Sequence, residues 1–161
     1  MIIRYLVLIA FLCSSGAAVA QGPNMPRPEE IKAFHECLRK GGLVFNDRVQ
    51  CIGKVFETCA MKLQDQTSMG MRACYSRETA LWEKMILNSE KELRRNENKP
   101  TKTMLSEAAR NWKAFRNNTC NIPYAMNPKG TLAPVLGMEC FNRITALWAL
   151  QLSEFATPLG N

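Results

Sequence analysis

The sequence predicts an all-α protein, a small disulfide-stapled bundle of about five helices. Three observations carry this expectation. Apolar residues recur at steps of three and four along most of the chain, and nowhere alternate with period two long enough to make a strand. Prolines and a glycine pair fall mostly between these periodic stretches. Seven cysteines in 161 residues offer covalent ties between neighbouring helices.

At the start, Arg4 precedes an apolar run at 5–12, and small residues follow up to Ala18-Val19-Ala20. That order of charged, apolar and small-residue regions reads as a secretory signal peptide cleaved near Ala20. Cys13 follows the bulky Leu12 and is read as discarded with the leader rather than as a lipid anchor. Residues 21–161 are then a single helical domain with a flexible N-terminal leader, periplasmic or secreted. No second apolar run is long enough to be a transmembrane segment of the mature chain. With Arg4 removed from 21 basic residues, against 14 acids, the mature charge is +6. Export excludes nucleic acid as the partner of that charge and leaves anionic envelope polymers or lipid headgroups compatible with it.

The first helix is expected over 28–40, opened by Pro28 and Glu29-Glu30 and closed by Arg39-Lys40 and Gly41-Gly42. Ile31, Phe34 and Leu38 make its buried stripe. A second helix over 46–63 starts at Asn46-Asp47 and buries Val49, Ile52, Phe56, Cys59 and Leu63, with Gly53 a weak point in propensity. After a polar loop at 64–68, a third covers 69–95, with Met71, Cys74, Leu81, Trp82, Met85 and Leu93 inward. A charged turn at 94–102 contains Pro100. The fourth helix, 104–120, places Leu105, Ala108, Trp112, Phe115 and Thr119 in one row. A loop at 121–130 leads to a strongly apolar last helix at 131–155, in which Val135, Leu136, Cys140, Ile144, Leu147 and Leu150 belong inside.

Six cysteines lie in the expected mature chain. Cys37 and Cys51 flank the first inter-helix turn at similar distances, Cys59 and Cys74 the second, and Cys120 and Cys140 the loop around Gly130. Sequential pairing joins helices that lie level across each turn. Each closed loop is worth up to about 3 kcal/mol in the chain-entropy picture.

Two charges fall on apolar faces. Glu78 sits one turn before Trp82, and Arg116 one turn after Trp112. Either they meet as an ion pair in the structural core or each side chain reaches solvent separately.

Ala109, Trp112, Phe115, Arg116 and Cys120 form the pattern Ala-x-x-Trp-x-x-Phe-Arg-x-x-x-Cys. This pattern resembles the signature helix of the LprI-like lysozyme inhibitor family. The stretch 70–88, with Cys74, Glu78, Trp82 and Asn88, is similar to that family's preceding helix, and 137–152 around Cys140 to its closing helix. The resemblance spans 51–152, with Lys91, Ala109 and Asn117 departing from the pattern. It implies an exported, non-catalytic protein that binds and blocks lysozyme at the cell envelope. The other reading is an envelope binding module for anionic cell-wall or lipid material.

Catalytic arrangements are scarce. His35 is the sole histidine and is read as structural. Glu78 and Glu83, five apart on one helix, point in different directions and make a poor glycosidase pair. Met61, Met69 and Met71 are read as core fillers, Met71 on a helix stripe, rather than copper ligands. No metal or other cofactor is expected. Contact with lysozyme needs exposed features, and two stretches offer them. One is the Asn127-Pro128-Lys129-Gly130 turn, whose Lys129 suits a carboxylate-lined cleft. The other is the charged turn at 94–102, and Glu90, Glu92 and Glu97 near the end of the third helix offer an acidic patch suited to a basic lysozyme.

Overall fold

A computed structural model describes residues 22, 24–62 and 67–157. The expected leader peptide, its cleavage point and Leu63 lie outside them. Helix α1 (Pro28–Lys40) runs where the proline, acidic and basic end signals place it. It turns Glu30, Phe34, Cys37 and Leu38 inward, with the Phe34 ring edge-on to Trp82 at 4.6 Å. That choice of face leaves Ile31, expected in the stripe, pointing outward.

The expected second helix is two. α2 (Phe45–Val49) stops, a turn follows, and α3 (Lys54–Ala60) begins after Gly53. Gly53 has φ +96°, a left-handed conformation that side-chain-bearing residues resist and glycine adopts freely.

α4 (Ser68–Asn96) starts at Thr67, whose hydroxyl accepts from the Gly70 N–H at 3.2 Å. α5 (Lys99–Cys120) begins earlier than the charged turn suggested. Asn98 caps it by accepting from the Thr101 N–H at 3.0 Å, and Pro100 occupies a first-turn position where no N–H is needed. The following loop contains a short helix, α6 (Ile122–Met126), and α7 (Ala133–Ala156) closes the fold. The described residues are thus the expected bundle, with the second helix split and one short helix added.

The most extensive interface is α4 against α7. Ser68 Oγ donates to Thr131 O at 3.0 Å and Thr79 Oγ1 to Asn142 Oδ1 at 3.2 Å, a constant sequence offset that makes the two helices parallel. Ala146 and Ala149 are fully buried on α7, and such small residues allow close approach. Leu136 and Leu147, expected inside, fall on the other side and are partly exposed. α5 returns antiparallel and lies on α7. Its inward row is Leu105, Trp112, Arg116 and Cys120, spaced seven, four and four. That row leaves Phe115, expected in the core, 59% exposed, and Ala108 also faces out.

The disulfides Cys37–Cys51, Cys59–Cys74 and Cys120–Cys140 tie α1 to the turn before α3, α3 to α4, and α5 to α7. The largest core side chain is Trp82, in one cluster with Phe34, Val55, Leu81, Ile86, Leu150 and Leu152.

Candidate functional site

Glu78 is fully enclosed, and Arg116 is not its partner. Its Oε1 accepts from Gly53 N–H at 2.7 Å, Asn142 Nδ2 at 2.8 Å and Trp82 Nε1 at 3.1 Å. Its Oε2 accepts from Phe56 N–H at 2.9 Å and Val55 N–H at 3.1 Å. Three of these five donors are the opening amides of α3, which supplies no side-chain cap of its own. A carboxylate on α4 therefore caps α3, where amides and helix dipole both favour negative charge. The ion pair considered from sequence gives way to this arrangement because the split at Gly53 frees those amides.

Arg116 is buried by a different route. Its guanidinium lies 3.7 Å from the Phe141 ring centroid and 4.5 Å from that of Trp112. It donates to Thr145 Oγ1 at 3.0 Å and to the half-exposed Glu83 at 3.4 Å. Nε has no hydrogen-bond partner, and the aromatic faces supply its remaining surroundings. Burial pushes its pKa below the usual arginine value, and Glu83 opposes that shift. The ion pair inside the fold is instead Arg77 with Glu30, at 3.0 Å with both side chains buried. Glu30 also accepts from the Arg27 N–H at 2.7 Å, so it serves as the acid of a helix start.

A disulfide and contacts to α4 and α7 hold a surface loop in place. Residues 121–131 leave α5 beside the Cys120–Cys140 disulfide and rejoin the bundle at Thr131, which Ser68 holds. Tyr124 lies against Gly137, where a β-carbon would collide with its ring. The Asn127 side chain covers Gly130 in the same way, and Gly130 N–H donates to Asn127 O at 3.1 Å. Pro128 and Lys129 are exposed between these anchors.

Glu90, Glu92 and Glu97 lie far from this loop. α4 has 29 residues, about 40 Å at the rise of an α-helix. The loop meets its beginning and the three acids lie near its end, so they do not form one contact face. Nor are they a bare acidic patch, since Glu92 holds Arg95 at 2.7 Å and Asn96 at 2.8 Å. Glu97 instead lines a groove of about 950 Å³ among the α1–α2 turn, the start of α5 and the ends of α4 and α7. Lys102, in the expected charged turn, lines it too, with Leu43, Arg48 and Trp148, which the sequence patterns do not mark.

His35 is exposed beside Phe34, and Glu78 is enclosed while Glu83 is half exposed, so the two carboxylates share no cleft. No group of histidine, cysteine and carboxylate side chains among the described residues is arranged to hold a metal ion.

Comparison with curated proteins and with solved structures gives no match. A family model described as Lysozyme inhibitor LprI matches residues 59–152. That span begins in α3 and ends in α7. It includes Glu78, Arg116, two of the disulfides and the 121–131 loop, while α1, α2 and Cys37–Cys51 precede it. A match over more than half of the chain, on the helices that build the buried polar centre, places this protein in the LprI lysozyme inhibitor family.

Proposed function

We propose that the chain is a non-catalytic lysozyme inhibitor that works outside the cytoplasm and presents the 121–131 loop to the enzyme. The family match over α3 to α7 carries this reading. The loop's construction supports it: a disulfide at its base, two glycine contacts along it, and Pro128-Lys129 held out to solvent. Pre-ordering lowers the entropic cost of binding. A lysine on such a loop suits a glycosidase cleft, where two carboxylates flank the scissile bond. The three disulfides fit an oxidising compartment. Cleavage of the leader near Ala20 would release the domain to the periplasm or the exterior.

The competing reading is a binding module for anionic wall or lipid material, and the chain's positive charge favours it. Lysis of a cell-wall suspension by several lysozymes, run beside sedimentation with purified wall, separates the two. As an inhibitor of a basic lysozyme, the protein meets a like-signed partner, so salt should leave its on-rate unchanged or raise it. As a wall binder it should lose affinity steeply as salt rises to physiological levels. Wall binding that vanishes with salt, with no lysozyme inhibited, would put the second reading first.

A further inference from the structure

We propose that the groove at the far end of the bundle binds a single-chain amphiphile with a zwitterionic head group. The acyl chain would lie on its apolar floor and the head against Lys102 and Glu97. Leu93, Leu105 and Leu152 are buried at the groove, whereas Leu43, Met104 and Phe155 line it at 74%, 69% and 62% exposure. Large apolar side chains gathered around a concavity are the ordinary setting for an apolar ligand. The volume, about 950 Å³, is of the size that small-molecule sites have.

The charges at the groove define the head group. Arg48 and Lys102 line it with Glu97 and Glu154, two of each sign. Arg48 already donates to Ser153 Oγ at 2.7 Å, and Glu154 accepts from Gln151 Nε2 at 3.1 Å. The Lys102 and Glu97 side chains have no partner among the described residues. Both also oppose their helices. A carboxylate stands at the C-terminal cap of α4, and a cation near the start of α5, each beside the dipole end of its own sign. Neither charge serves the fold where it stands. A purely anionic head would meet two carboxylates and a purely cationic one two cations, while an uncharged head would leave Lys102 and Glu97 unpaired. A phosphate and an ammonium on one head group pair with both.

Leu43 and Arg48 belong to the segment before residue 59, outside the family match. The site is thus built partly by residues outside the family match and stands apart from the 121–131 loop.

The test uses lysophosphatidylethanolamine with a brominated acyl chain, kept below its micelle concentration, as a quencher of tryptophan fluorescence. Trp148 lines the groove and stacks on Trp112 with ring centroids 5.6 Å apart, whereas Trp82 is enclosed in the core. Saturable quenching is expected. Met104→Glu, at an exposed position, should weaken it about tenfold with the helical circular dichroism unchanged. Lys102→Glu and Glu97→Lys should each weaken it about tenfold, the size of one lost charged hydrogen bond. The double exchange should recover part of the loss, which a merely structural effect would not do. Brominated fatty acid and brominated monoacylglycerol should bind more weakly than the zwitterion. Absence of saturable quenching, equal affinity for all three head types, or indifference to Met104→Glu would overturn the proposal. Quenching seen only with vesicles would overturn it in favour of membrane adsorption, and displacement only by an amphipathic helical peptide in favour of a protein partner.

Discussion

Replacing Glu78 with glutamine keeps the shape of the side chain and exchanges one acceptor for a donor. The amide's nitrogen must face one of two sets of donors. At the Oε1 position it would oppose Gly53 N–H, Trp82 Nε1 and Asn142 Nδ2. At the Oε2 position it would oppose the Val55 and Phe56 amides. The second choice is the less costly, and it leaves two amides at the start of α3 facing a donor in a site with no water access on the Glu78 side. Each unsatisfied buried amide costs about 1–3 kcal/mol, and loss of the charge at the helix start adds up to about 1 kcal/mol. The expected destabilisation of Glu78→Gln is therefore about 3 kcal/mol or more. Urea unfolding with the disulfides intact measures it, and hydrogen exchange should show the Val55 and Phe56 amides losing protection first. Because Glu78 and Arg116 share no bond, the loss should add to that of Arg116→Met within about 0.5 kcal/mol. A cost below about 1 kcal/mol, or strong coupling to Arg116, would refute the capping account.

Glu30→Gln and Arg77→Met should each cost about 3–5 kcal/mol, with the double variant losing clearly less than the sum in urea unfolding, because each single change removes one side of a buried ion pair. Gly137→Ala should change stability little, since the helix gains about 1 kcal/mol from alanine while Tyr124 is displaced. Faster hydrogen exchange at 122–130 and weaker lysozyme inhibition should accompany it. Burial and then the nearby Glu139 and Glu78 carboxylates push Tyr75 up to about 12. Its contribution to stability should be intact below pH 10 and lost as pH rises toward 12, and Tyr75→Phe should remove the latest-titrating component of the absorbance at 295 nm.

Much of the fold was legible because it rests on local rules. Pro28, the acidic and basic ends of α1 and the Gly41-Gly42 stop bound that helix from sequence alone. Cysteines level across three turns led to the pairings the structure holds. The polar centre was less legible because its partners are tertiary. Glu78 showed itself as a charge on an apolar face, but its donors exist only because the chain breaks at Gly53. A lone glycine inside an apolar stripe signals only weak helix propensity, and its left-handed φ appears in the folded chain. Glu30 and Arg77 carried no anomaly, since an acid in a first turn and an arginine in a long helix are ordinary on a surface. Phe115 fits a helical stripe by spacing, yet the face that α5 buries runs along Leu105, Trp112, Arg116 and Cys120. The groove is legible in sequence only through its charged turn, since four separate segments build it and Leu43 and Arg48 lie in a turn and a five-residue helix with no periodic pattern.

The central functional claim, that lysozyme is bound through the loop at the Cys120–Cys140 end, is tested most directly by hydrogen exchange of the protein with and without a lysozyme it inhibits. The account predicts slowed exchange at 121–131, no change at the start of α5, 22 residues or about 33 Å away, and loss of both inhibition and the footprint in Lys129→Ala with stability unaltered. Protection centred on α5 and the end of α4, or inhibition undiminished in Lys129→Ala, would contradict it.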